Sequence, residues 1–252
     1  MIALVLTILG SSVIFIIFKL FPKYKIDTFQ AIVFNYFTAF ICGIFITNKP
    51  WESIPENLES WGMYAFVCSI LFISLFLLMG KSSQLNGVAR TSVAVKMSMA
   101  VSVLAMIIYY SESYGLIKIA GILFAIAGVL LVSKSDSSEK STASWMLLVL
   151  FIGSGLLDFI LNIVQSIPFV YFNSSMFTAF GFLTAGIIGL FLLIIQLLRK
   201  KAVFSFRNVF AGIVLGIPNY FSIYMLIESY SQLKWEDSTI DSFINICIVM
   251  FS

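Results

Sequence analysis

The feature that most constrains the fold is a series of nine long apolar segments separated by short polar breaks. Hydrophobic residues make up 60% of the chain and charged residues 11%, against roughly 45–50% and 25% in soluble domains. Most segments exceed the ~20 residues that a helix needs to cross a bilayer. The pattern predicts an all-α polytopic membrane protein with segments over about 1–21, 28–48, 61–84, 88–110, 115–133, 144–167, 174–198, 208–231 and 238–252.

Short motifs occur twice along the chain, in the same order and at a spacing of roughly 145 residues. The pairs are Gly10-Ser11 with Gly153-Ser154, Thr38-Ala39 and Gly43 with Thr184-Ala185 and Gly189, and Ser83-Gln84-Leu85 with Ser231-Gln232-Leu233. This order predicts two copies of a five-helix bundle. Because five is odd, the second copy enters the membrane from the opposite side, as in the inverted repeats of secondary transporters.

The predicted domains are a first repeat over 1–133, a polar Ser-rich linker over 134–143, and a second repeat over 144–252. The last segment, Ser238 to Ser252, spans only ~22 Å as a helix. We therefore expect about nine of ten transmembrane helices, and a second repeat that is incomplete at its C-terminal end.

Residue types that are missing exclude several classes of function. The chain has no histidine, which removes HExxH metalloproteases and Ser-His or Cys-His nucleophile pairs. Cys42, Cys68 and Cys247 lie in apolar segments without CxxC spacing, and no GxxxxGK[ST] motif is present. We expect no cofactor, no metal, no catalytic residue and no ATP-driven pump.

Basic residues concentrate in the loops after the odd-numbered segments. Only Lys49, Lys118 and Lys234 fall in the other loops. The positive-inside rule therefore predicts that the odd-numbered loops face the cytoplasm and that the N-terminus lies outside. The odd-loop residues are Lys19, Lys23, Lys25, Lys81, Lys134, Lys140, Arg199, Lys200, Lys201 and Arg207.

One stretch of the first repeat resembles a known family. It runs from Leu85-Asn86-Gly87-Val88-Ala89-Arg90-Thr91-Ser92 through an apolar helix to Glu112, and then to a fifth helix with Gly121 and Gly128. This arrangement resembles the EamA-like proteins of the drug/metabolite transporter superfamily. The resemblance implies an inner-membrane carrier of small metabolites, often amino acids or drugs, that works by alternating access. It also implies cytoplasmic termini, the reverse of the charge-based orientation.

Asp158 is the strongest candidate for a functional residue, because a carboxylate in mid-membrane is costly and marks substrate or ion pathways. Ser154, Asp158, Asn162 and Gln165 are spaced to share one helix face. This polar stripe predicts either the lining of a cavity or hydrogen bonds that hold the bundle together.

Lys96, one turn after Ser92 in the fourth segment, is the second candidate. A Lys96–Asp158 pair between the repeats would reduce the cost of burying either charge. It is either a static ion pair or a pair that opens for substrate, with Lys96 on a carboxylate and Asp158 on an amine or a coupling proton.

Weaker candidates for the centre of the bundle are Asn35, Tyr36, Asn219, Tyr220, Tyr224, Asp241 and Asn245. Gly216-Ile217-Pro218 predicts a break in the eighth segment. Glu112 is expected to act as a cap or a gate contact. The glycines expected to allow close helix approach are Gly10, Gly43, Gly121, Gly128, Gly186 and Gly189.

The preferred function is a secondary transporter, and we expect an exporter, of amino-acid-like solutes or drugs. The alternatives are a non-transporting membrane subunit or scaffold and, with less support, an intramembrane enzyme acting on lipid. The expected partners are a small-molecule substrate and the lipid bilayer, and no nucleic acid. A coupling proton and a homodimeric assembly stay open.

Overall fold

The computed structural model describes residues 2–46, 58–111, 115–134, 141–166, 174–232 and 237–251. The regular structure within these ranges is entirely helical, which confirms the all-α prediction. The helices are α1 Ile2–Leu20, α2 Thr28–Ile46, α3 Leu58–Leu85, α4 Val88–Met97, α5 Met99–Tyr110, α6 Leu116–Ser133, α7 Ser141–Ser166, α8 Ser174–Leu198, α9 Phe206–Gln232 and α10 Asp237–Phe251.

The helices reproduce the predicted membrane segments. Eight helical spans in the described part of the chain are long and apolar enough to cross a membrane, and α4 and α5 together form one of them. The remaining helix, α10, has 15 residues. The polytopic prediction is therefore confirmed, and one segment, predicted as continuous over 88–110, is interrupted at Ser98.

Hydrogen bonds join several helix ends and loops at one end of the bundle, which we call the basic end. This end carries the loops 21–27, 86–87 and 199–205. Lys19 Nζ donates to Gln84 O (3.3 Å), and Gln84 Nε2 donates to Thr28 Oγ1 (2.8 Å). Asn86 Nδ2 donates to Ala143 O at 3.1 Å. The helices α2, α4, α7 and α9 therefore begin at the basic end, and α1, α3 and α8 finish there.

The helix pairs that pack together follow a pattern of exchange between two halves. Helix α1 packs on α9 while α7 packs on α3, and α2 packs on α9 while α8 packs on α3. Likewise α1 packs on α10 while α4 packs on α7. These pairs map onto each other when α1, α2, α3 and the span that contains α4 are exchanged, in that order, for α7, α8, α9 and α10. The two-repeat organisation stays a prediction, and this exchange is an observation in its favour.

The glycines repeated in the sequence make equivalent contacts in the two halves. A Cβ at Gly10 would lie 3.2 Å from Ser222 Cβ in α9, and one at Gly153 would lie 2.6 Å from Leu75 Cδ2 in α3. Gly43 and Gly189 form a second such pair. Gly43 faces α9 and α8, and Gly189 faces α3 and α2. Small residues at these points let helices of opposite halves approach closely.

The prediction about close-approach glycines was partly wrong. Gly10, Gly43, Gly186 and Gly189 do face neighbouring helices, but a Cβ at Gly121 or Gly128 would meet nothing within 4 Å. Helix α6 lies at the periphery, where only one side is packed, so these two glycines lie on open surface. Close approaches that the sequence analysis did not single out occur at Gly155, Gly212 and Gly216.

Candidate functional site

The interruption between α4 and α5 is the main departure from regular helix inside a membrane span. Ser98 ends α4 and precedes α5, with φ −56° and ψ −20°. These angles are right-handed helical, so the departure is confined to one residue. Ser98 Oγ donates to Val95 O at 2.6 Å, and Ser98 O accepts both an i→i+3 bond from Val101 N (2.8 Å) and an i→i+4 bond from Ser102 N (3.3 Å). Broken membrane helices expose backbone groups and often line transporter sites.

Three serine hydroxyls of this span bond to the backbone of their own helix. Besides Ser98, Ser92 Oγ donates to Ala89 O (2.9 Å) and Ser102 Oγ donates to Met99 O (3.0 Å). Each hydroxyl bonds a carbonyl three residues earlier, and such side-chain bonds compete with the helical hydrogen-bond ladder. All three serines are buried. The sequence signal that could have located this region is the run of serines around Lys96.

Helix α7 crosses the interruption at Gly155. A Cβ on Gly155 would lie 2.6 Å from Ser98 O and 2.5 Å from Val101 Cβ, so only glycine fits without movement. Lys96 precedes Ser98 by two residues, and Asp158 follows Gly155 by one helical turn. The two charged residues proposed as a pair therefore lie on helices that touch, on either side of one crossing point.

Exposure differs along the polar stripe of α7. Ser154 is 9% exposed, at the level where Gly153 and Gly155 bring α3 and α5 close. Asp158 and Asn162 lie one and two turns further from the basic end, and both are exposed. Lys96, on the neighbouring helix α4, is half-buried. The side chain of Gln165 lies outside the described residues. The stripe thus begins at a packed level and becomes accessible toward the opposite end.

Helix α10 reaches the same interruption from another direction. Asn245 Nδ2 donates to Met99 Sδ at 3.7 Å, where α5 begins. The helices α4 and α10 pack on each other, as do α4 and α7. Of the other acidic candidates, the side chain of Asp241 and all of Glu112 lie outside the described residues. We call this region the interruption site. It consists of Lys96 and Ser98 at the interruption, Asp158 of α7 and Asn245 of α10.

A second polar group lies between α2 and α9, away from the interruption. Asn219 Nδ2 donates to Asn35 Oδ1 at 3.2 Å, and both residues are buried. Asn35 Nδ2 and the Tyr36 hydroxyl are buried without a hydrogen-bond partner among the described residues. The ring of Tyr36 packs against Phe76 and Phe182, with centroids 5.7 and 5.8 Å apart.

The predicted break at Pro218 was wrong, because α9 runs through it without interruption. Contacts on both sides support the helix there. Gly216 lies against the backbone of α2, and a Cβ at Gly10 would lie 3.4 Å from Pro218 O. Next to the proline, Tyr220 stacks on Tyr224 with centroids 6.1 Å apart and an angle of 14°. A proline that neighbouring helices support is tolerated within a membrane span.

Metal-binding chemistry is not visible in the part of the chain that the structure describes. No group of three or more His, Cys, Asp or Glu residues lies close enough there to hold an ion. The interruption site instead offers one cation, one carboxylate, amides and hydroxyls. Such groups suit a small polar organic molecule with both charges.

Comparison with known proteins identifies the family to which the chain belongs. The sequence model of the EamA-like transporter family matches residues 1–134. The chain belongs to the EamA-like transporter family. It is therefore a multi-pass integral membrane transporter of the drug/metabolite type, and its partners include a small-molecule substrate and the bilayer. EamA-like members are transporters, which argues against an enzymatic role.

The full length of the chain has a relative among known proteins. An uncharacterized protein of Haemophilus influenzae is 23% identical over 254 residues, covering 98% of this chain and 85% of the relative. No solved structure matches. The matched residues 1–134 of the EamA-like region contain α1–α6, and hence Lys96 and the interruption at Ser98, whereas Asp158 and Asn245 lie beyond them.

Proposed function

We propose that this EamA-like protein exports small organic metabolites, amino-acid-like solutes or drugs, by alternating access, with substrate bound at the interruption site. The observation that carries the proposal is the broken span at Ser98, crossed by α7 at Gly155 and reached by Asn245 of α10. Substrate sites of secondary transporters are built where discontinuous helices of one half face the other half.

Different residues of the site bind different groups of a zwitterionic solute. Lys96 is a cation in the last turn of α4 and binds the substrate carboxylate. Asp158, one turn past the crossing, binds the amine or takes a coupling proton. Asn245 and the backbone around Ser98 add hydrogen bonds. When substrate is absent, the opposite charges of Lys96 and Asp158 reduce the cost of holding each charge within the membrane.

The described contacts favour a conformation closed at the basic end. There α2 and α9 approach through Gly212 and Gly216, whose Cβ atoms would lie 2.7 Å from carbonyl oxygens of α2. Asp158 and Asn162 are exposed on the side toward the opposite end. A site sealed at one end and accessible from the other is one of the two states that alternating access requires.

Solute flux into or out of proteoliposomes tests the proposal, with a panel of radiolabelled amino acids and fluorescent cationic drugs. For any transported solute, Lys96→Ala and Asp158→Asn should each lower the initial rate by about tenfold or more, because a hydrogen bond to a charged group is worth about 1.5–3 kcal/mol. Lys96→Arg should keep part of the rate. Lys134→Gln, which removes an exposed cation at the end of α6, is the matched control.

Flux that survives both substitutions, in protein that is folded and inserted, would remove the pair from the site. The search would then move to Asn35, Tyr36 and Asn219. A reduced rate in Lys134→Gln of equal size would mean that bulk charge, not the interruption site, controls flux.

A further inference from the structure

A cavity at the basic end lies away from the interruption site and is lined by cations. It measures about 400 Å³ and is formed by the loop after α1 and the loop after α8. Its lining includes four basic side chains and one carboxylate: Lys25, Lys200, Lys201, Arg207 and Asp27. The proposed transport mechanism uses none of them.

Two of these lysines adopt a backbone conformation that normally favours glycine. The φ angles of Lys25 and Lys200 are 52° and 54°. Each follows the end of a helix, in turns closed by the same two hydrogen bonds: Lys25 N to Pro22 O with Ile26 N to Phe21 O, and Lys200 N to Leu197 O with Lys201 N to Gln196 O. Glycine is the common residue at this position of a helix C-terminus. A lysine at both positions, facing one cavity, points to a use for the charge.

The floor of the cavity is a fixed network of buried amides. Asn208, 4% exposed, donates through Nδ2 to Gln30 Oε1 at 3.0 Å, and Gln30 Nε2 donates to Val203 O at 2.9 Å. Asp27 N donates to Asn208 Oδ1 at 3.0 Å. These bonds tie the two loops together, so the basic side chains project from a backbone that is already organised.

The one carboxylate in the cavity is partly engaged by the protein itself. Asp27 Oδ1 accepts a hydrogen bond from Gln30 N at 2.9 Å and so caps the first turn of α2. The other charged groups that line the cavity are three lysine ammonium groups and the Arg207 guanidinium, whose Nη1 also donates to Tyr24 O at 3.4 Å. Arginine pairs well with phosphate oxygens, and lysine binds them as a point charge.

We infer that this cavity binds a phosphate group at the membrane surface, presented either by an anionic phospholipid headgroup or by a soluble phosphate. Basic pockets between transmembrane helices at a cytoplasmic surface suit anionic headgroups, and the positive-inside rule predicts a cytoplasmic location for this end. Binding joins the α1–α2 and α8–α9 loops and so stabilises the closed packing of α2 on α9.

The test measures thermal stability of the full chain in a neutral maltoside detergent at constant ionic strength. The probes are inorganic phosphate and dihexanoyl-phosphatidylglycerol below its micelle concentration. The cavity variant is Lys25→Gly with Lys200→Gly, which removes two charges while placing glycine where the backbone favours it. The matched control is Lys81→Gln with Lys134→Gln, which removes two exposed cations of the same end outside the cavity.

Saturable stabilisation is expected in the wild type and in the control. The cavity variant should need at least about tenfold more probe for half-saturation, as expected for the loss of hydrogen bonds to a charged group. Saturation by the lipid at lower concentration than by phosphate assigns the site to headgroups; the reverse order assigns it to a soluble anion.

Absence of stabilisation by both probes would overturn the inference, and so would an equal response of the wild type and the cavity variant. If the glycine variant does not fold, Lys201→Gln with Arg207→Gln answers the same question, because both lie in the cavity and neither has the left-handed backbone. Flux through the interruption site is measured separately, so the two proposals can fail independently.

Discussion

The α2–α9 and α3–α8 interfaces correspond to each other under the proposed repeat, but they differ in the side chains that pack at their ends. Between α2 and α9, small residues bring backbones together, and a Cβ at Gly212 would lie 2.7 Å from Ala31 O. Between α3 and α8, a glycine contact at Gly189 is accompanied by aromatic packing at the end opposite the basic end: Trp61 packs edge-on against Phe177 and Phe180, at 5.8 and 5.6 Å between centroids. Interfaces that correspond under the predicted repeat therefore need not share the same packing chemistry.

The position of each interface gives the difference a functional meaning. The α2–α9 contact includes the start of both helices at the basic end, and the aromatic contact includes the start of α3 and α8 at the opposite end. Backbone contact and amide hydrogen bonds leave little freedom, whereas aromatic side chains can rotate and repack. We expect the basic end to be the rigid seal in this conformation, and the aromatic end to open first.

The largest expected effect comes from filling the close contact at the basic end. Gly212→Leu would place side-chain atoms against Ala31 O and Phe34 Cβ, neither of which can move without shifting α2. We expect a loss of about 3 kcal/mol or more, at or above the top of the usual range for overpacking, or failure to fold. Thermal unfolding and size-exclusion profiles in detergent measure this loss.

Gly128→Leu is the matched control for that substitution, because a Cβ there meets nothing within 4 Å. It should unfold within about 0.5 kcal/mol of the wild type, as expected for a surface change. Equal loss in the two variants would show that leucine disturbs the bundle irrespective of place, and the contrast between the interfaces would lose its support.

An intermediate effect is expected from opening the aromatic interface. Trp61→Ala removes two edge-on ring contacts, each worth about 0.5–1.5 kcal/mol beyond burial. Cys68 lies fully buried in the same cluster, so its alkylation by a small maleimide should accelerate. The measurement uses protein with Cys42→Ala and Cys247→Ala, so that Cys68 is the reporter.

Phe204→Ala serves as the comparison in the same background, because it removes ring contacts with Phe34 and Phe206 at the basic end. Labelling of Cys68 should be unchanged by it. If Phe204→Ala exposed Cys68 as much as Trp61→Ala does, opening would not be local to the aromatic end.

The smallest effect concerns the amide pair within the rigid interface. A double-mutant cycle with Asn35→Ala and Asn219→Ala should give a coupling energy of about 0.6 kcal/mol, the average for hydrogen bonds within membranes. Unfolding by a denaturing detergent measures it. A cycle on Asn35 and Ser69 should give a coupling near zero, because Asn35 bonds to Asn219 whereas Ser69 bonds to the carbonyl of Gly181.

A coupling near zero for Asn35 and Asn219 as well would leave glycine packing as the source of rigidity. A value well above the expected one would instead make the amides the principal lock. Either outcome refines which chemistry distinguishes the two interfaces.

Prediction from sequence succeeded for the features that the membrane environment determines. The spans, the short links and the helical class follow from apolar length alone, because backbone groups in hydrocarbon must bond within their own helix. The site was predicted less completely. Lys96, Asp158 and Asn245 were found as polar residues in apolar segments, but the interruption at Ser98 and the close approach of Gly155 were not.

The misplaced predictions share one physical cause. Pro218 and Gly128 have strong local signatures, for a helix break and for close packing, yet neighbouring helices support the first and no helix covers the second. The local sequence indicates which conformations and contacts a residue allows. Whether a helix breaks or packs closely at that residue depends on the neighbouring helices, which come from distant segments of the chain.

The sequence by itself determined the number and order of the membrane spans, the family, and the residue types available for transport, because hydrophobic length and buried charge act locally. Only the tertiary structure decided that α7 crosses the broken span at Gly155, that Asn35 meets Asn219, and that Lys25 and Lys200 face one cavity. These are contacts between residues far apart in the chain, and they are selected by the shape and small size of the side chains that lie between the helices.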